Sequence, residues 1–289
     1  MSTVTADSIG APSPKTRVVT AVERSRLPRR VWVGASIVGV YVLVAVFAPL
    51  IAPYDPLAQD VVNSLAAPSA AHWLGTDELG RDVLSRLIHA SRIDLLVGFL
   101  GAVLPAVLGT FLGAVAGFKG GWLDGVIMRI SDVVQAFPTY ILIIALVFAL
   151  GPGATSILVA FTLIAWVAYA RLIRTEVLRE RGLDYVAAAR ASGLSGRRTL
   201  WRHVFPNSVG QTLVYLPSDI VGATLGLAAL SFLGLGIQAP TPEWGAMIAA
   251  GQPYIRDQWW LSTVPGLVVV GFGLGLSLVG EGFEEWTRK

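Results

Sequence analysis

The chain has 289 residues, of which 54% are hydrophobic and 14% are charged. Soluble proteins average about 25% charged residues, so this composition excludes an ordinary soluble domain and predicts a membrane protein. The chain contains no cysteine, which excludes disulfide frameworks, thiolate metal sites and cysteine nucleophiles. Its formal net charge of +3 comes from basic residues in short polar segments between apolar runs, a pattern more typical of membrane topology than of nucleic-acid binding.

The apolar segments predict about six transmembrane helices in an all-α membrane protein. Residues 1–30 are rich in Ser, Thr, Pro and charge, and they predict a disordered tail. The first apolar run, 31–52, is long enough to cross a bilayer core of ~30 Å. A cleaved signal peptide is the alternative, but its apolar region would be only about 7 to 15 residues long. Five further spans are predicted at 93–118, 126–150, 154–170, 211–237 and 261–280.

The distribution of Lys and Arg predicts the orientation of these spans. In a six-span arrangement, 18 of the 22 Lys and Arg residues lie on the same side as the termini. Because positively charged loops tend to remain in the cytoplasm, both termini are predicted to be cytoplasmic. Two long loops, 53–92 and 238–260, then lie outside and can face a partner. The cytoplasmic loop 171–210 is too long for a simple turn between helices.

This cytoplasmic loop contains a short alanine-rich motif. The sequence from Asp184 to Gly193 reads Asp-Tyr-Val-Ala-Ala-Ala-Arg-Ala-Ser-Gly. Alanines favour a helix whose small side chains allow another protein surface to approach, and Gly193 can end that helix or permit a turn. Pro206, thirteen residues later, marks the start of the fifth span. The composition alone is equally typical of an ordinary surface helix.

The spacing of this motif resembles the cytoplasmic loop of ABC importer permeases. Ala188, Ala189, Gly193 and Pro206 fall on the register of that family's pattern. The chain departs from the pattern at the family's leading glutamate, its isoleucine-like position and its leucine, which are here Ala187, His203 and Phe205. Asp184 lies one helical turn before Ala187, and we hypothesise that it supplies a replacement anion.

Three further motifs resemble the dipeptide, oligopeptide and nickel permeases of this class, specifically their C-type subunit. Residues 72–86 read His-Trp-Leu-Gly-Thr-Asp-Glu-Leu-Gly-Arg-Asp-Val-Leu-Ser-Arg, residues 231–236 read Ser-Phe-Leu-Gly-Leu-Gly, and residues 240–245 read Pro-Thr-Pro-Glu-Trp-Gly. The resemblance implies a type I ABC importer permease. It divides the chain into the tail 1–30, the first transmembrane helix and outer loop 31–92, and a five-helix core 93–289 containing the coupling loop 171–210.

The resemblance also implies a function and a set of partners. The chain would be a multi-pass subunit of a bacterial inner membrane importer for dipeptides or short oligopeptides, forming half of the translocation path. Its partners would be a second homologous permease, two ATPase subunits or one fused ATPase, an extracytoplasmic substrate-binding protein and membrane lipid, with no nucleic acid. The chain would hydrolyse nothing and hold no metal or cofactor, because ATP and Mg would bind the ATPase subunits. Residues implied to couple to the ATPase are Asp184, Ala187, Ala188, Ala189, Gly193, Leu194 and Ser195.

Two other groups of polar and aromatic residues are candidates for contact with substrate or partners. Asp132, Gln135 and Asp219 lie within predicted spans, where a charge is costly and tends to face the protein interior. They either line the translocation path or form hydrogen bonds between helices. Candidates for contact with the binding protein are Trp73, Asp77, Arg81, Glu243 and Trp244. The alternative is that these outer loops form a folded plug between the helices.

Other functions remain as alternatives. The same scaffold could import nickel, heme or another small solute. An ion-driven secondary transporter would require inverted repeats and paired broken helices, which are not evident in the sequence. An intramembrane protease would require a catalytic dyad or a metal motif, and neither occurs. No phosphate-binding Gly-x-x-x-x-Gly-Lys loop is present either.

Overall fold

The computed structural model describes residues 27–287, and these fold as helices joined by irregular segments. Most of the predicted tail 1–30 therefore lies outside the described residues. The helices are α1 (Arg29–Ile51), α2 (Val83–Lys119), α3 (Gly121–Gln135), α4 (Thr139–Leu150), α5 (Ala154–Arg181), α6 (Asp184–Ala191), α7 (Gly196–Thr199), α8 (Phe205–Ser208), α9 (Gly210–Phe232), α10 (Trp244–Gly251) and α11 (Trp260–Thr287). Short 3₁₀ turns occupy Val61–Asn63 and Gln252–Tyr254, and a π-helical turn, Leu200–Val204, joins α7 to α8.

Five of these helices, α1, α2, α5, α9 and α11, are long and apolar enough to cross a membrane. The helices α3 and α4 together supply a sixth span if the pair is counted as one. The two helices are bent by 89° relative to each other at the break between them. The prediction of about six spans is confirmed, but the prediction of one continuous helix over 126–150 is wrong. The break falls before Pro138, which has no N–H to donate and restricts the backbone of the preceding residue.

The helices also extend beyond several predicted boundaries. The α2 helix begins ten residues before the predicted span 93–118, so it includes the end of the predicted outer loop. The α5 helix continues beyond the predicted span 154–170 as far as Arg181. Helical hydrogen bonding needs no apolar residue, so hydropathy locates the bilayer but not the end of a helix.

The centre of the fold is the pair α2 and α5, which make the most extensive helix contact in the described chain. Glycines at every fourth position of α2 face α5. A Cβ at Gly109 would overlap the carbonyl oxygen of Trp166, and one at Gly113 would overlap that of Ala170. The absence of side chains at these two positions allows the two backbones to approach closely, as small residues do in other membrane helix pairs.

A second layer packs on this pair. The α1 helix lies along α11, and α9 contacts both α2 and α11. The short helix α10 lies against α9 and α11. Its Trp244 belongs to an apolar cluster with Leu87 of α2 and Phe272 of α11. The segments 52–82 and 233–259, which we call the plug, therefore fold onto one end of the helix bundle.

Candidate functional site

The α6 helix is a short helix with defined ends between α5 and α9. Gly193 has a φ of +82°, a left-handed conformation that favours glycine. The Leu194 N–H donates to the Ala189 carbonyl at 3.3 Å, and the Gly193 N–H donates to the Arg190 carbonyl at 3.0 Å. These two bonds form a Schellman motif, which satisfies carbonyls at the end of the helix. The predictions of a short helix and of its end at Gly193 are confirmed.

The predicted coupling residues lie mainly on the outer surface of this helix and turn. Asp184, Ala187, Ala188, Gly193 and Ser195 are exposed. The other two, Ala189 and Leu194, are half-buried. The α6 helix therefore presents small side chains and one carboxylate outward, and a protein partner could approach its backbone closely.

Contacts that the sequence did not reveal hold α6 in place. Val186 is fully buried against Phe118 of α2 and Val177 of α5. The Tyr185 hydroxyl donates to the Glu180 carboxylate at 2.6 Å. Burial and this hydrogen bond raise the pKa of Tyr185, so the hydroxyl keeps its donor proton. In the sequence, Val186 stands out only as a β-branched residue beside alanines. That pattern predicts that Val186 faces inward only if the helix register is known.

The loop is also continuous with the membrane helices on both sides. Leu200 and Val204 of the π-helical turn pack in the same apolar cluster as Val186. The Arg181 guanidinium at the end of α5 donates to the carbonyls of Gly117 and Phe118 at 3.2 and 2.9 Å. A force on α6 would therefore reach α2 and α5 through this cluster, and the π-helical turn and α8 connect the cluster along the chain to α9.

The three polar residues predicted within spans lie in two different environments. Asp132 and Gln135 lie near the end of α3, where both are exposed in this chain. The Arg171 guanidinium donates to Asp132 at 2.7 Å. Asp219 of α9 accepts a hydrogen bond from the Tyr169 hydroxyl of α5 at 3.0 Å. Asp219 thus makes a bond between helices, whereas Asp132 and Gln135 face outward beside the break between α3 and α4.

In the plug, Asp77 organises the 72–86 motif. It accepts hydrogen bonds from the Arg81 N–H at 3.0 Å and from Arg81 Nε at 2.7 Å, and Arg86 Nε lies 3.3 Å from the same carboxylate. Asp82 caps α2 by accepting from the Ser85 N–H at 2.7 Å. Asp77 therefore pairs with both arginines of this motif, and Asp82 caps the helix that follows it.

Glu243 and Trp244 are fully buried. The Glu243 carboxylate caps α10 by accepting from the N–H groups of Gly245 and Ala246 at 2.8 and 2.7 Å. The Trp244 N–H donates to Asp94 Oδ2 at 3.1 Å, and its indole N–H donates to the Leu87 carbonyl at 3.2 Å. Sequence reasoning missed Asp94, which is also fully buried.

These contacts bear on the five residues predicted to meet a binding protein. Arg81, Glu243 and Trp244 are buried within the chain, and Asp77 is largely covered. The side chains of Arg81, Glu243 and Trp244 are directed into the chain in this conformation, which fits the alternative of a folded plug. Trp73 is 73% exposed, so its contact with a binding protein stays a prediction. Among the described residues, no group of three or more His, Cys, Asp or Glu could hold a metal ion.

The fold and the loop are those of a multi-pass transport permease. Residues 109–289 match the family described as the inner membrane component of binding-protein-dependent transport systems. Residues 28–68 match the N-terminal transmembrane domain of oligopeptide transport permease C. The chain belongs to this family of inner membrane permeases and is of its C type, as the sequence motifs predicted.

Curated relatives cover most of the chain. The di/tripeptide transport system permease protein DppC of Pseudomonas aeruginosa is 41% identical over 250 residues, covering 84% of this chain and 82% of the relative. The dipeptide transport system permease protein DppC of Escherichia coli is 39% identical over 293 residues, covering 99% and 97%. The oligopeptide transport system permease protein OppC of Bacillus subtilis is 34% identical, covering 92% and 87%.

Proposed function

We propose that this chain forms half of the translocation path of an ATP-driven importer of dipeptides or short oligopeptides. The path would be completed by a second homologous permease. Two ATPase subunits or one fused ATPase would bind ATP and Mg, and an extracytoplasmic protein would deliver the substrate. The names of the curated relatives support peptide as the substrate class, and no observation on this chain favours nickel or heme.

The observation that carries the proposal is the construction of α6. It presents small, exposed residues outward, while Val186 is buried against α2 and α5. An ATPase that binds the outer face of α6 would therefore move the membrane helices with it. If ATP favours one arrangement of the ATPases, the contact between the ATPase and α6 would link that arrangement to one conformation of the translocation path.

The test is ATP-dependent uptake of labelled di- and tripeptides into vesicles that contain the chain with its copurified partners. Gly193→Asp is the informative variant, because glycine adopts the left-handed φ of this position at the least cost and a new carboxylate enters the exposed turn. We expect uptake to fall at least tenfold while the complex still assembles. Gly196→Asp is the matched control, since Gly196 lies three residues away, begins α7 and has no left-handed φ.

The two variants separate the possible outcomes. Loss of uptake in Gly193→Asp alone supports coupling through α6. Peptide uptake by the chain without ATPase, equal in both variants and indifferent to ATP, would refute the proposal and support a self-contained transporter.

We also propose that Asp184 replaces the family's glutamate, which is absent at Ala187. Asp184 is exposed in the first turn of α6, where a carboxylate also interacts favourably with the helix dipole. It shares a helix face with Ala187 at a spacing of three residues. We expect Asp184→Ala to weaken ATPase assembly in a pull-down assay, whereas Asp257→Ala, an exposed aspartate of the plug, should leave it unchanged. Unchanged assembly and transport in Asp184→Ala would disprove this role.

A further inference from the structure

A groove of about 1050 Å³ lies between α1, α2 and α11, and it is also lined by Ile220 of α9 and by residues of the plug. Its α1 wall is formed by Val38, Val42 and Val46, and its α2 wall includes Leu96 and Phe99. Several of these apolar side chains are strongly exposed in the chain, including Val46 at 62% and Leu96 at 57%. An exposed apolar surface of this kind needs an apolar neighbour.

The length and direction of the groove match one bilayer leaflet. From Val46 to Val38 the α1 wall covers eight residues, which is about 12 Å at a rise of ~1.5 Å per residue. From Arg92 to Phe99 the α2 wall covers about 10 Å by the same measure. One leaflet of a ~30 Å hydrocarbon core is about 15 Å deep. The groove therefore runs along the spanning helices for a length similar to the depth of one leaflet.

Polar residues line the groove only near the plug. Arg92 is exposed at this end, and among residues 27–286 it makes no ion pair. His89 lies one turn earlier, and its Nδ1 is 3.0 Å from the Ser85 carbonyl. The groove thus combines an exposed cation at its plug end with an apolar channel along the helices.

We infer that this groove binds an anionic phospholipid, with the phosphate at the Arg92 guanidinium and an acyl chain along Val42 and Leu96. The occupant is amphipathic because the groove is, and it is anionic because its polar end carries an unpaired cation. A protein helix would fill the apolar part but leave Arg92 without a counter-charge. A lipid satisfies both parts with one molecule.

The experiment is native mass spectrometry of the purified full-length chain after incubation with palmitoyl-oleoyl phosphatidylglycerol. Phosphatidylcholine with the same acyl chains serves as the zwitterionic comparison. We expect the chain to retain phosphatidylglycerol preferentially, and Arg92→Gln to weaken that binding about fivefold, the effect of about one basic contact. Val42→Trp should reduce binding of both lipids by filling the groove.

Two matched variants control for general effects. Arg256→Gln removes an exposed arginine of the plug outside the groove, and Val40→Trp adds a bulky residue to α1 at an exposed position outside it. Both should bind lipid as the wild type does. Equal binding of the two lipids, unaffected by Arg92→Gln, would overturn the inference. Release of the lipid when the second permease assembles would also overturn it, because the groove would then be a protein interface.

Discussion

The plug and the α6 helix both contain family-like motifs, yet the structure uses their residues in opposite ways. In the plug, Asp77, Glu243 and Trp244 face inward and hold the segment together. On α6, Ala187 and Ala188 face outward and contact little of their own chain. A motif therefore indicates that positions are constrained, but burial is needed to separate residues that maintain the fold from residues that can meet a partner.

The largest expected effect is on the stability of the plug. Trp244→Ala should destabilise the chain by about 3 to 5 kcal/mol, because it empties a fully buried aromatic site. Thermal unfolding of the purified protein in detergent, followed by circular dichroism, measures the change. Trp73→Ala is the matched control, because Trp73 is 73% exposed. Equal midpoints for Trp244→Ala and the wild type would contradict the interior role of Trp244.

A smaller effect is expected at the inner face of α6. Val186→Ala should cost roughly 1.6 kcal/mol, at about 0.8 kcal/mol for each buried carbon removed, and it should also lower peptide uptake by loosening α6 from α2 and α5. The measurements are thermal unfolding and vesicle uptake on the same preparation. Ala187→Ser, on the exposed face, should leave the unfolding midpoint unchanged. A large loss of stability in Ala187→Ser would show that the two faces are not distinct.

The buried carboxylate of Asp94 is expected to lower stability. Among residues 27–287, no donor group reaches its Oδ1, and the carboxylate of Glu243 lies beside it. Asp94→Asn keeps an acceptor for the Trp244 N–H and adds a donor beside Glu243, so it should stabilise the chain by about 1 kcal/mol. A rise in the unfolding midpoint, absent in Asp257→Asn at an exposed site, checks this. A lower midpoint would show that the Asp94 carboxylate is needed.

The smallest stability effect is expected at the outer surface of the plug. Trp73→Ala should change the free energy of unfolding by less than about 0.5 kcal/mol, but it should weaken association with the substrate-binding protein if Trp73 is the contact. Surface plasmon resonance with the immobilised complex measures that association. Unchanged affinity would remove Trp73 from the candidate contacts.

Much of the fold could be predicted because apolar runs must match the bilayer thickness. The break between α3 and α4 could not, because a proline within an apolar run is compatible with either a kinked helix or two helices. Gly193 was predictable since few other residues tolerate the conformation at that helix end. The inward position of Glu243 was not, because capping depends on the path of the backbone before α10.

The anchoring contacts of α6 were also beyond sequence reasoning. Val186 lies in one buried cluster with Phe118, which is distant in sequence, so no local pattern links the two residues. The same holds for Asp94, which meets Trp244 across 150 positions. Long-range packing of this kind follows from the arrangement of helices and not from any single segment.

The unbroken length of α5 has a mechanical consequence. Its 28 residues make a rod of about 42 Å at ~1.5 Å per residue. A tilt of about 5° around one end would displace the other by about 4 Å, using the same length. The Arg181 guanidinium joins the end of α5 to the end of α2, so a tilt of α5 would carry the end of α2 with it. A small tilt of α5 at one side of the bilayer would therefore displace the opposite ends of both helices by several ångströms.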